Sequence, residues 1–526
     1  MPEAAEKYIL SVDLGTSGPK SALVSTRGEI LAHTFVKNDL ELHPDGGAEQ
    51  APEEWWQSIL SSFKTLIAQG RVPADRIAAI CCSTQWSGTV AVDKAGNHLM
   101  NALIWLDSRG SRYVDEITDG WLKVEGYALG KLQRWLRLTG GAPSHSGKDS
   151  IAHILYIKNQ YPDIYRQTYK FLEPKDYINL RLTGRFAASY DSITLHWVTD
   201  NRDINGIRYD DRLIRMSGLE REKLPDLKQA TDVLGTLKKE VADELGLSSN
   251  VRVMAGTPDV QAAAIGSGAV TDYAAHLYIG TSAWLTCHVP FKKTDITSGI
   301  ASLPSAVPGR YFVANEQETA GACLTFLRDN VFFPKDGLSD ATAPADFYQR
   351  LDRMAADIPA GSRGLLFLPW LYGERTPLDD HLIRGGFINL SLDATRSLMA
   401  RAVLEGVALN SRWLLQAVEK FVRRPLAPIR MIGGGALSAV WCQIYADVFN
   451  RPVAQVDSPM LANVRGAAFL AAAGLGFIEF PDIGGAVHIT RTYAPNAENT
   501  RIYDNMFKEF KTAYKKTRKI CARLNR

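Results

Sequence analysis

One pattern occurs twice in this chain. Tyr8-Ile9-Leu10-Ser11-Val12 is an apolar, β-prone run that leads into Asp13-Leu14-Gly15-Thr16-Ser17-Gly18-Pro19-Lys20 and then into a second strand, Ser21–Ser25. Ala275–Ile279 leads in the same way into Gly280-Thr281-Ser282 and a further strand from Ala283. The chain has 526 residues, more than one hydrophobic core accommodates, so two similar domains are expected. Glycines let backbone come close to a ligand and expose its amides, which suits phosphate oxygens. Asp13 beside such a turn would repel phosphate unless a divalent cation stood between them. The first turn alone reads equally well as an ordinary hairpin. With its copy, it reads as half of a grip on a Mg-nucleotide.

Composition narrows the class further. The chain is 46% hydrophobic and 22% charged with a net charge of +3, so nothing demands a nucleic-acid partner. The longest apolar runs, such as Ala467–Ala473, are far too short to span a bilayer, and no membrane partner is expected. Met1–Lys7 lacks a basic and apolar leader pattern. Six scattered cysteines without CxxC spacing read as buried thiols in a reducing cytosol. A soluble, cytoplasmic protein is the expectation.

In the first half, Pro52 with Glu53 and Glu54 starts a helix carrying Trp55, Trp56, Ile59, Phe63 and Ile67 at helical spacing. Ile77–Ser83 reads as a strand covered on both faces. It ends in Thr84-Gln85-Trp86-Ser87-Gly88, and α/β sheets place ligands beyond strand ends. Gln85 can hydrogen-bond a sugar hydroxyl in either sense, and Trp86 offers a flat face to sugar C–H groups. Trp105 and Asp107 could hold a polyol, whereas Arg109 reads more readily as a structural ion-pair partner. Helical patterns are expected at Ile154–Ile157 and from Leu224 through Leu247, within an accessory wall on the sugar side.

Val251–Ala255 reads as a strand, followed by Gly256-Thr257-Pro258-Asp259 and a small-residue helix. Asp259 therefore falls at a helix N-terminus, where the dipole favours its ionised form unless burial opposes it. By position alone, a capping role is the simpler reading. Farther on, Leu398–Val418 reads as a long core helix. Ile429–Ile432 then runs into Gly433-Gly434-Gly435-Ala436, with a helix from Ala439 to Phe449 and a strand at Pro452–Ala454. This βαβ unit suits close approach to adenine and ribose but lacks the Gly-x-Gly-x-x-Gly spacing of dinucleotide folds. The tail, Arg501–Arg526, holds nine Lys/Arg against two Asp/Glu. Tyr503, Phe507, Phe510, Tyr514, Cys521 and Leu524 form a helical stripe in it, expected to dock and leave the lysines in water.

Several separated segments resemble the FGGY family of carbohydrate kinases. They are Asp13-Leu14-Gly15-Thr16-Ser17 with its second copy, Glu49-Gln50 with Pro52–Trp56, Trp105-x-Asp107-x-Arg109, Phe171–Tyr177, Gln317–Asp329, Gly364–Pro369 with Gly373–Pro377, and Leu461–Ala468. The resemblance spans about residues 8 to 475 and implies an α/β fold of two actin-like (ribonuclease H-like) ATPase domains with a cleft between them. The expected division is 1–270 for sugar binding and the base, 271–480 for adenosine, and 481–526 as a C-terminal extension. It implies Asp259 as catalytic base and a second metal-site carboxylate, with Asp13 holding Mg²⁺. It also implies Gln85, Trp86, Ser87, Trp105, Asp107 and Asp259 at the sugar. ATP would meet Gly15, Thr16, Ser17, Lys20, Gly280, Thr281, Ser282, Gly321, Thr325, Gly434, Gly435, Ala436 and Ala439. The Glu374–Arg375 pair is expected to fix backbone. The implied reaction is ATP-dependent phosphorylation of a ketose or polyol, xylulose first. Ser87 departs from the Gln-Met-His-Gly of xylulokinases, and Asn463 stands where an acidic residue is more usual. A sugar sensor on the same fold or a dinucleotide-dependent oxidoreductase are the alternatives, and a homodimer is open.

Overall fold

The protein is described here by a computed structural model covering residues 6–525. The leader reading at Met1–Ala5 and residue Arg526 lie outside the described residues.

Two mixed sheets organise the chain, and they share a plan. The first contains β1 (Tyr8–Gly15), β2 (Gly18–Ser25), β3 (Ile30–Phe35), β4 (Ile77–Thr84), β5 (Val233–Thr236), β6 (Arg252–Met254) and β7 (Thr257–Pro258). Its strand order is β5-β6-β4-β1-β2-β3, with β7 also pairing β4. The second contains β8 (Ala275–Ile279), β9 (Ala283–Val289), β10 (Thr294–Asp295), β11 (Ile300–Pro304), β12 (Tyr311–Ala314), β13 (Ile429–Ile432), β14 (Val453–Val456) and β15 (Ile489–Tyr493). Its order is β10-β11-β12-β9-β8-β13-β14-β15. In each sheet an antiparallel hairpin is followed by parallel neighbours and an antiparallel edge strand. The repeated turns thus join equivalent strands, β1 to β2 and β8 to β9.

Helices cover these sheets. They are α1 (Pro52–Ala68), α2 (Pro174–Thr183), α3 (Asp259–Gly266), α4 (Arg396–Val422), α5 (Ala439–Phe449), α6 (Ala462–Gly474) and α7 (Ala497–Leu524). Successive residues of a strand point to opposite faces. Leu10, Val12 and Leu14 of β1 join Trp55, Ile59 and Phe63 of α1 in one core, while Ile9 joins Phe469 and Leu470 of α6 in another. A helix of the second half therefore packs on the first sheet. There α3 and α6 cross at two glycines. A Cβ on Gly266 would lie 1.7 Å from the Ala462 carbonyl oxygen, and one on Gly466 would lie 1.8 Å from that of Ala262. The crossing joins the two halves at backbone contact.

One expectation needs revision. Leu224–Leu247 is not a helical run: it holds short strands at Asp226–Lys228 and Val233–Thr236, and helix only at Lys239–Leu245. Its apolar residues are anchored by sheet pairing, which helical periodicity cannot distinguish over so short a span. The tail docks by its aromatic face, as expected. β15 closes the second sheet, and α7 buries Tyr503, Phe507, Phe510 and Tyr514 in the second-half core. Cys521 packs partly buried against the same core, and the stripe ends before Leu524, which is 77% exposed. The Glu374-Arg375 loop does fix backbone: the Glu374 carboxylate accepts from the Glu318 amide at 3.1 Å and from Asn410, while Arg375 pairs with Glu316 at 2.6 Å and also with Glu318.

Candidate active site

The chemistry-bearing residues gather at the carboxyl ends of the strands, where parallel strands leave loops free to hold ligands. Asp13 lies near the end of β1, directly across the hairpin from Lys20. The turn between them depends on Gly18, whose φ of +128° suits only glycine and whose Cβ would meet the Val36 carbonyl oxygen at 2.0 Å. Asp13 is buried and accepts a hydrogen bond from Ser83 at the end of β4, 3.2 Å away. Burial raises its pKa, opposed by Lys20 and by hydrogen bonds from Asn463 and Ser83. Asn463 belongs to α6, so the second half reaches into this corner of the first.

Asp259 opens α3, and its carboxylate accepts from the Val260 amide at 2.8 Å. Burial pushes its pKa up from 3.8 to about 8, with the Asp13 carboxylate the next cause and Glu316 a lesser one. The helix N-terminus does not keep it low; desolvation and a neighbouring negative charge outweigh the dipole. Two carboxylates in each other's field offer the hard oxygen ligands that a divalent cation takes.

The turn preceding Asp259 is held from below. Lys175, fully buried on α2, bonds the Asp176 carboxylate and donates to the Ala255 carbonyl at 2.8 Å, where Asn179 also donates at 2.8 Å. Thr257 is bonded to the Asp191 carboxylate. None of these supports carried a local signal in the sequence, because they act on the turn from distant segments.

The second turn packs against other segments expected to meet the nucleotide. The Gly321 amide donates to the Gly280 carbonyl at 2.8 Å, and the Ala320 amide to that of Thr281 at 2.8 Å. The triple glycine approaches the same place: a Cβ on Gly433 would lie 2.5 Å from the Ile279 carbonyl oxygen. Gly434 and Ala439 are exposed beside Leu437 and Met460, whereas Gly435 and Ala436 are buried beneath them. Thr325 is exposed, within 3.5 Å of the Tyr348 hydroxyl.

On the sugar side, Trp105 donates through Nε1 to the Thr16 hydroxyl at 2.9 Å, and that hydroxyl lies 3.2 Å from the Gln85 amide oxygen. Gln85 donates in turn to Gln50 at 2.8 Å and is only 2% exposed, so it braces the pocket more than it faces it. Trp86 remains half-buried with its Nε1 on the Ser192 carbonyl. Ser87 donates to the Lys148 carbonyl at 2.6 Å. Asp107 is corrected as a sugar ligand. It is completely buried, and its carboxylate is taken up by Arg109 at 2.6 Å and the Ala48 amide at 3.0 Å. A guanidinium two residues along the chain satisfies it before any ligand arrives.

Residues 8–266 match the N-terminal domain of the FGGY family of carbohydrate kinases, and residues 275–475 match its C-terminal domain. A xylulose kinase of Bacillus subtilis (strain 168) is 28% identical over 532 residues, covering 98% of this chain and 98% of that protein. Among solved structures, a gluconate kinase from Lactobacillus acidophilus superposes with a TM-score of 0.84 at 25% identity, covering 98% of this chain and 99% of that one. A ligand-bound xylulose kinase from the same organism gives 0.83 at 25% identity, covering 97% and 98%.

Proposed function

The chain belongs to the FGGY family of carbohydrate kinases and phosphorylates a sugar with ATP, and we propose that Asp259 is the general base of that transfer. The reading is carried by one observation: Asp259 and Asp13 lie in each other's field, Tyr278, two residues before the second Gly-Thr-Ser turn, lies in the field of both, and burial raises the Asp259 carboxyl's proton affinity to about 8. A base titrating near the working pH can take a hydroxyl proton without holding it too tightly to release. The sugar oxygen attacks the γ-phosphorus, its proton passes to Asp259, and the bond to the β,γ-bridging oxygen breaks with its electron pair leaving on ADP. The amides and hydroxyls of residues 15–17 and 280–282, with Lys20, receive the phosphates, as phosphoryl transfer chiefly requires positioning and charge neutralisation. Mg²⁺, where bound at Asp13, would supply neutralisation of the β- and γ-phosphates. Adenosine lies along Gly434 and Ala439, between the exposed Leu437 and Met460.

For the acceptor we infer a ketose, xylulose first, seated against Trp105 and Trp86. A second reading, an aldonate such as gluconate, is favoured by Lys148. Its ammonium has no carboxylate partner among the described residues, and it lies in the field of Arg375, Glu318 and Glu316 next to Ser87. An ADP-release assay over pentuloses, hexuloses, polyols and aldonates tests both readings. Turnover confined to neutral ketoses removes the aldonate, and ADP release that no sugar stimulates removes the proposal as a whole.

A further inference from the structure

Tyr278 lies in the field of both Asp259 and Asp13 and has no part in the mechanism above. It is the penultimate residue of β8, two residues before Gly280, on the face opposite the second-half core. Its ring is stacked on its cross-strand partner Trp284, with centroids 3.9 Å apart and planes within 7°. Trp284 is itself fixed, donating through Nε1 to His276 at 3.2 Å. The ring passes between the two glycine turns. A Cβ on Gly280 would lie 2.3 Å from the Tyr278 hydroxyl oxygen, and one on Gly433 would lie 3.1 Å from the ring. That hydroxyl makes no hydrogen bond among the described residues and is not enclosed.

Burial and the nearby Asp259 and Asp13 carboxylates push the phenol's pKa up, so it stays protonated and acts as a donor. In this corner the two carboxylates are claimed by the base and metal roles. A donor held rigidly against the second phosphate turn, beside the base, faces the place where the group in transfer must pass. We propose that the Tyr278 hydroxyl donates a hydrogen bond to the terminal phosphoryl group of bound ATP. This rests on the kinase reading for the nucleotide's orientation, with the γ-phosphate toward Asp259.

Tyr278→Phe removes the oxygen and keeps the stack. Calorimetric titration with the β,γ-imido analogue of ATP and with ADP, both with Mg²⁺, tests the proposal without a known sugar. The variant is expected to bind the imido analogue about tenfold more weakly while its affinity for ADP changes less than about twofold, one lost hydrogen bond being worth about that much. Its thermal midpoint, measured in parallel, should match that of the unsubstituted protein. Unchanged affinity for the imido analogue, or equal weakening towards ADP, overturns the assignment. If the unsubstituted protein binds both nucleotides but turns over no sugar, the failure lies in the kinase reading, and the titrations still decide the role of Tyr278.

Discussion

At Asp259 a helix N-terminus and a desolvated site act on one carboxyl in opposite directions, and desolvation prevails. Three expectations follow at this scale. Asp259→Ala should cut sugar phosphorylation by about 10²–10⁴-fold or more while the protein still folds, the range for losing a general base. Near-complete activity in steady-state assays would reject the assigned base. The pH profile of kcat/KM should rise through a midpoint near 8, reporting the free enzyme's base; a profile flat from pH 6 to 9 would place the ionisation elsewhere. The same shift bears on stability. The folded-state value lies above the unfolded one, so this group's favourable contribution is complete below about pH 4 and is lost as pH rises through about 8. Asp259→Asn should therefore melt a few degrees above the unsubstituted protein at pH 8 to 9, a difference that shrinks towards pH 4. Equal melting curves at both ends would show that the carboxyl is not desolvated.

Elements decide how firmly these residues are held. Among the described residues, Lys175 on α2 is the one cation in the buried cluster that also contains Asp176 and Asp191 beneath the turn before Asp259. Replacing it with Met leaves buried carboxylates unpaired, so stability should fall by about 3–5 kcal/mol in a denaturant titration. Retained stability would mean that those carboxyls are already neutral. At the α3–α6 crossing, one methyl on Gly466 has no room against the Ala262 carbonyl. Gly466→Ala should destabilise by about 1–3 kcal/mol through forced separation of the helices. It should also lower kcat, because the crossing sets how the two halves face each other. The last helix, α7, matters in the same physical terms: its four buried aromatic residues each remove apolar surface worth about 2–3 kcal/mol from water.

The whole molecule presents two sheets with one shared plan, joined where α6 of the second half packs on the first. Closure of the halves over sugar and nucleotide would exclude water, so that the sugar and not solvent attacks ATP. Solution scattering should then show a radius of gyration, about 24 Å for a compact chain of this length, that falls when sugar and the imido analogue are added together. An identical radius with and without ligands would argue for a rigid cleft. At this scale much was legible beforehand. The apolar strands around each Gly-Thr-Ser turn, the helix starting at Pro52 and the helix from Ala439 to Phe449 all depend on local periodicity and turn chemistry, which neighbouring residues carry. What escaped was of another kind. The local pattern offered Arg109 as a partner for Asp107, but the Ala48 amide that completes its burial, and the bracing of Thr16 and Gln50 by Gln85, depend on partners brought from other segments.

The sequence by itself determined that a chain of this length must form two lobes around a repeated glycine-hydroxyl turn, since apolar strands and φ-permissive turns are written in adjacent residues. Only the tertiary structure decided the charge state of Asp259, the support of its turn by Lys175 and the placing of Tyr278 between the glycine turns. Each of these depends on burial and on through-space distance between residues far apart in the chain, quantities that a linear pattern does not contain.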